Sequence, residues 1–428
     1  MTSDCRLRYP EPTFSAGPDR HLSTIGEIPI TQPGSGRHHT NASVLLDLIR
    51  ALAALVVLFE HWRNFFFVDF HEVVTHRLLL FVPYVLSAAG HQAVIIFFVL
   101  SGYLVGGSVF RMLERGTWTW TTYLTHRLIR LWVVLLPGLL LCYFWDSFGV
   151  HLHLAPALYA GDVPNHMLPH TPTIKSFFEN LFFLQGILGP QFGSDGALWS
   201  LANEFWYYIL FPLGALVVYR SSKIRTSTVM RASFALAFVA IAWLLRDTVL
   251  SGFPIWMTGA LLYRLPTLKL STRYRVLAAV VYVPIFFALA HVSFITGISS
   301  DYLLTVFTFF FFWIILSATG PATPSLAERA TRTVAGFSYT LYVVHMPFLL
   351  ILTALAAGTQ RWVPDPRHVG IASSFLVLAM VYAYTIATLT EFRTDTWRRK
   401  FETWLKRPAH PASLPSQSSS PTGTSRLP

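Results

Sequence analysis

Charge is scarce in this chain. Of its 428 residues only 12% are Asp, Glu, Lys or Arg, about half the usual share of a soluble protein, which all but excludes a soluble enzyme. Cysteine is scarcer still. Cys5 and Cys142 are the only two; they cannot make a disulfide framework and lie too far apart in the expected topology to pair. There is no G-x-S-x-G elbow and no phosphate-cradling Gly-rich loop, so nucleophilic serine hydrolysis in a soluble lobe is unsupported. The histidines His151, His153, His166 and His170 match no standard zinc spacing and have no Cys or carboxylate cluster beside them, so no metal is expected.

What is present is apolar and aromatic: 53% hydrophobic residues, 35 Phe, 17 Tyr and 13 Trp, with a mean hydropathy of +0.50. A chain with these runs has lipid for most of its solvent, and aromatics for both interfaces. Apolar windows fall near 44–66, 92–110, 131–148, 198–219, 229–245, 252–266, 276–292, 300–317, 334–357 and 370–392. The expected fold is an all-α membrane bundle of about ten transmembrane helices. Two shorter pieces, 78–90 and 177–188, are too short to cross unaided and read as re-entrant or interfacial. Residues 1–42 read as a disordered tail without signal-peptide features, 43–392 as the membrane domain, and 393–428 as a basic, then Pro/Ser-rich tail.

The net charge of +11 would suggest nucleic acid in a soluble protein. Here it is read by side of the membrane, and no nucleic-acid partner is expected. Ten crossings place 25 Lys and Arg residues on one side and six on the other, with Arg50 inside a span. Such asymmetry fits the positive-inside rule with both termini cytoplasmic.

Polar residues inside these windows are the candidates for chemistry, because an ionisable group in a span is costly and usually faces a bundle interior or wet cavity. Arg50 and His61 are eleven steps apart in the first window, which returns them to within about 20° of one helix face at ~16 Å axial separation. A plainer reading pairs Arg50 with Asp47 and leaves His61 at the interface. Ser101 precedes Gly102 and Gly106, whose four-residue spacing favours close helix packing. Arg127 and Arg130, three apart, either anchor the cytoplasmic side or grip phosphate. Ser200 and Glu204 share a face at i and i+4; Glu204 needs a partner, either a neighbouring span or a catalytic imidazole. Ser338, Tyr342 and His345 line one face just before Pro347, as a polar packing seam or as part of a site.

The segments LDLIRALAALVVLFEH, FFVLSGYL, RLIR, WSLANEFWYYILFP and SYTLYVVHMPF, in this order, resemble the acyltransferase-3 family of integral membrane acyltransferases. Each motif is weak alone and together they are specific, covering about 43–392. The resemblance matches Arg50 and His61 to the family's Arg and His separated by ten residues, Arg127 and Arg130 to its Arg-x-x-Arg, and Glu204 and His345 to its WSL-x-x-E and SY-x-LY-x-x-H patterns. It implies transfer of an acyl group, often acetyl, from cytoplasmic acyl-CoA to a hydroxyl of an extracytoplasmic carbohydrate or lipid-linked glycan. The implied setting is a bacterial inner membrane, with membrane lipids around the protein and a homo-oligomer or a separate extracytoplasmic partner compatible with it. In that reading His61 and Glu204 are taken as catalytic, His61 either as general base or as covalent acceptor of the acyl group and Glu204 as a carboxylate able to orient the ring, and Arg50, Arg127 and Arg130 as donor-binding. Ser101, Ser200, Ser338, Tyr342 and His345 add polar lining. Acyl-CoA is a co-substrate and no permanently bound cofactor is expected. Glu60, before His61, departs from the family's more apolar residue. The rival class is a transporter using the same Arg, Glu and His, but no inverted repeat supports it; a sensor or scaffold would not need an Arg and a His on one face.

Overall fold

The computed structural model describes residues 40–160, 171–220, 223–224, 226–322 and 325–405. Among them there is no strand; the helices are α1 (Asn41–Phe66), α2 (Arg77–Leu86), α3 (Gly90–Ser101), α4 (Gly107–Arg115), α5 (Trp120–His151), α6 (Pro156–Ala160), α7 (Ile174–Leu181), α8 (Leu198–Val218), α9 (Thr228–Leu250), α10 (Phe253–Arg264), α11 (Thr272–Thr296), α12 (Ile298–Ile315), α13 (Leu326–Ala356), α14 (Pro366–Leu389) and α15 (Thr394–Leu405). Side-chain caps start several of them. Thr40, Thr119 and Ser325 accept the N–H groups of Ser43, Thr122 and Glu328, satisfying donors that the first turn leaves free.

Nine helical stretches among the described residues are long and apolar enough to cross a membrane. The window at 252–266 differs from the other nine. It forms the 12-residue α10, ~18 Å long by helical rise and too short to cross alone. It nonetheless returns the chain to the end from which α9 started. Arg231 at the start of α9 donates to the carbonyls of Val217 and Tyr219 at the end of α8, and Arg264 at the end of α10 pairs with Glu114 of α4 at 2.6 Å. The turn between α9 and α10 lies beside the middle of α8, where the Tyr207 hydroxyl donates to the Val249 carbonyl at 2.6 Å. The short pieces near 78–90 and 177–188 fold as α2, 10 residues, and α7, 8 residues, neither long enough to cross.

The polar helices sit centrally and the plain ones outside. Of its most apolar window α13 buries 78%, whereas α9 buries 6%; an apolar helix with so much exposed surface faces lipid. α13 packs most extensively on α1 and also on α5 and α14, while α3 packs on α1, α10 and α12. Between α3 and α4 the backbone widens into a π-helical segment, Gly102–Gly106, a distortion often found beside functional residues. Its cause is close approach. A Cβ on Gly102 would enter the backbone carbonyl of Trp256, and one on Gly259 that of Val99, so α3 and α10 meet backbone to backbone.

The ends of α1 and α13 are tied together away from the arginine-rich end. Phe66 and Val68 exchange backbone hydrogen bonds with Trp362, and Arg361 reaches Asp69 and the Phe67 carbonyl. Burial pushes the Asp69 carboxyl up, but the Arg361 hydrogen bond and the charges of Arg361 and Arg63 prevail and hold it below the usual carboxylate range. The Arg361–Asp69 pair joins the segment after α1 to the segment after α13 at the end of α1 that carries His61.

Candidate active site

One pocket of about 900 Å³ runs between α1, α3, α5, α8 and α13, and its wall includes Arg50, Ser101, Arg127, Arg130, Ser200, Glu204, Ser338 and Tyr342. Eight of the ten residues singled out by sequence thus meet in one place. Each is a polar position in an apolar helix, which is why intramembrane polarity located them.

Three guanidiniums occupy the end toward the α4–α5 turn. Arg50 pairs with Asp47 at 2.8 Å, as the plainer reading expected, yet it also lines the pocket. Arg127 donates to the Ser108 hydroxyl at 2.6 Å and lies over the rings of Tyr123 and Tyr208. The Nε atoms of Arg50 and Arg127 are buried without a hydrogen-bond partner. Buried orphan donors are rare in native proteins because each forfeits its hydration, so this end offers two N–H groups that an acceptor in the pocket can satisfy. Glu391 stands within electrostatic reach of Arg50 and Arg130 while accepting the N–H and hydroxyl of Thr340 at 2.9 and 2.8 Å.

Glu204 occupies the middle. The Ser101 and Tyr208 hydroxyls both donate to its Oε1 at 2.5 Å, and the Trp256 indole donates to Ser101 at 3.1 Å. Of the two partners the sequence leaves open for Glu204, a neighbouring span or a catalytic imidazole, the structure shows the neighbouring span, Ser101 of α3; the partner of the His61 ring is His345, with Nδ1 of His61 2.6 Å from Nε2 of His345. The physical reason is position along the bundle. Glu204 lies a turn beyond Ser200 toward the arginines, whereas α13 brings an imidazole level with His61.

At the far end, the Tyr342 hydroxyl donates to the Ala197 carbonyl at 2.8 Å and accepts from Ser200 at 2.6 Å. The loop carrying Ala197 is fixed from α5, where Asp146 accepts the Ser194 N–H and hydroxyl at 2.8 and 2.6 Å. His345 is one turn past Tyr342 on α13, with ring centroids 6.1 Å apart. The His61 and His345 rings lie edge to edge and nearly coplanar, centroids 4.9 Å apart and planes 17° apart, and neither is among the residues of the pocket's wall. Glu60 lies against the N-terminus of α3, its carboxylate facing the N–H groups of Gly90 and His91, so the departure from an apolar residue has a local structural use.

Tyr208, Tyr339, Trp256 and Glu391 were not read from sequence. Tyr208 repeats the i, i+4 step from Glu204, and Glu391 ends the last apolar window, so both carried a usable signal; Trp256 had none. Of the loop histidines, His151, the last residue of α5, and His153 are exposed; His166, His170, Cys5 and the tail residues 1–39 and 406–428 lie outside the described residues.

A family profile described as an acyltransferase domain matches residues 44–390, and the chain belongs to that acyltransferase-3 family of integral membrane acyltransferases. Among curated proteins it is similar to an uncharacterized protein of Haemophilus influenzae (strain ATCC 51907 / DSM 11121 / KW20 / Rd), 24% identical over 132 residues, which are 30% of this chain and 50% of that relative. The chain thus spans about half the length of the relative it matches. No solved structure matches.

Proposed function

We propose that this acyltransferase takes an acyl group, acetyl in the simplest case, from cytoplasmic acyl-CoA and places it on a hydroxyl of an extracytoplasmic carbohydrate or lipid-linked glycan, in a bacterial inner membrane. The observation that carries the reading is a single pocket with three guanidiniums at one end and a hydrogen-bonded histidine pair just past the other. CoA is a polyphosphate attached to a long flexible arm. Arg50, Arg127 and Arg130 suit its phosphates, since guanidinium forks bind them with charge-assisted hydrogen bonds. The positive-inside asymmetry puts that end in the cytoplasm. From there the thioester arm extends past Glu204 toward His61, ~16 Å along α1.

A hydroxyl is a poor nucleophile at neutral pH and needs a base. His61 fills that role: its Nε2 accepts the hydroxyl proton as the oxygen bonds to the thioester carbonyl carbon. The carbon–sulfur bond then breaks, and the His61 proton passes to the departing thiolate, giving an ester and free CoA. Tyr342, Ser200 and Phe97 line the pocket, Tyr342 with its ring beside that of His345, so the acyl group must pass them, and Ser338 adds a polar surface for the arm.

The discriminating experiment is thiol release from acetyl-CoA by the purified chain in nanodiscs containing membranes from cells that lack the gene, which supply native acceptors. Thiol should appear together with base-labile acetyl ester in the membrane fraction. A transporter built from the same residues would release no thiol.

A further inference from the structure

We propose that His345 is a positioning residue that fixes the proton of His61 on Nδ1, leaving Nε2 as the base, and that backbone carbonyls do for His345 what a carboxylate does in a conventional triad. The inference rests on the reading of His61 as the base and adds the group that makes it one.

The argument starts from atoms that can only accept. Nδ1 of His345 lies 2.9 Å from the Leu341 carbonyl and 2.9 Å from the Tyr342 carbonyl. Neither oxygen has a proton to give, so Nδ1 of His345 carries the hydrogen and donates it to them. A neutral imidazole has one N–H, and Nε2 of His345 is therefore an acceptor. Its neighbour at 2.6 Å is Nδ1 of His61, which must be the donor. The lone pair of His61 then stands on Nε2. The whole tautomeric state of the pair follows from two helix carbonyls three and four residues before His345.

The same arrangement serves the reaction. When His61 Nε2 takes the hydroxyl proton, the ring becomes an imidazolium whose Nδ1–H already points at a lone pair, in a medium where an unsupported charge is costly. His345 neither gains nor loses a proton in the cycle; it keeps its own on the carbonyls and holds the His61 hydrogen bond throughout. Triads use a carboxylate for this task. Here Glu204 is occupied by Ser101 and Tyr208, and among the described residues no carboxylate is a hydrogen-bond partner of either ring. A neutral acceptor is the cheaper choice in a membrane interior, because it adds no charge of its own. The α1–α13 packing and the Arg361 clamp hold the two rings in register.

The test replaces the acceptor while keeping the volume. His345→Leu and His345→Phe fill the space but leave His61 Nδ1–H without a partner, freeing the ring to flip or change tautomer. His345→Gln restores an acceptor oxygen. In the acetyl-CoA assay with gene-deficient membranes, the apolar variants should lose about 10²- to 10⁴-fold in kcat, the range seen when a catalytic imidazole loses its orienting partner. The KM for acetyl-CoA should stay within about threefold, because the donor's phosphates are gripped elsewhere. His345→Gln should regain at least about tenfold of the lost kcat, with all three variants melting like the parent. A pure packing role predicts the opposite pattern: Gln no better than Leu or Phe, and activity tracking the melting temperature. If His61→Ala is inactive while His345→Leu and His345→Phe keep near-parental kcat, the positioning role is wrong and the base survives. If His61→Ala itself is active, the reading of the base fails first.

Discussion

His61→Ala inserts, folds and binds acyl-CoA like the parent, and loses at least about 10²-fold in transfer rate, the usual scale for a missing general base. The structure limits what else the substitution disturbs. His61 sits beside His345 rather than in the pocket wall, and its hydrogen bond goes to that ring, so the guanidinium end is untouched and the donor KM should hold. The removed ring leaves a cavity against α13, and some loss of melting temperature is expected on that account. Catalysis and stability are separated by measuring both at a temperature well below unfolding, with donor and membrane acceptor saturating. Near-parental turnover there would return His61 to the status of an interfacial histidine.

Replacing Arg127 and Arg130 together by Lys raises the acyl-CoA KM about 10- to 100-fold with kcat changed far less, corresponding to the net loss of about one charge-assisted hydrogen bond of about 1.5–3 kcal/mol. Net charge is unchanged, so any effect reports geometry. Arg127 loses most: its planar group bonds Ser108 and lies over Tyr123 and Tyr208 at the same time, and an ammonium cannot reproduce the fork. Steady-state kinetics against acetyl-CoA, with insertion checked by glycerol-gradient or chromatographic homogeneity, measures it. Unchanged donor kinetics would leave the pair as positive-inside anchors and nothing more.

Much of this site was legible because a membrane interior makes polarity conspicuous. Arg50, Glu204, Tyr342 and their companions stand out against Leu and Phe, and helical periodicity alone puts Arg50 and His61 on one face. What the sequence could not supply was which helix faces which. His61 and His345 are 284 positions apart, and no local rule brings α13 against α1; spacing offered a carboxylate for the imidazole where the fold delivers a second imidazole. The window at 252–266 folds as the 12-residue α10, a short return leg packed backbone to backbone against α3 at Gly102 and Gly259; that close approach is a tertiary fact that hydropathy does not carry.

The central claim is that one pocket carries an acyl group from the arginine end to the histidine end, across the membrane. Its most direct test uses sealed vesicles of defined orientation, made from membranes lacking the gene and supplied with the purified chain, with radiolabelled acetyl-CoA confined to the side of the Gly116–Thr119 turn. Labelled, base-labile ester should form on acceptors exposed only at the opposite face, that of Gly358, and should vanish with His61→Ala. Ester formed only on the side where acetyl-CoA was added, or none while labelled acetyl-CoA itself crosses, would contradict the account.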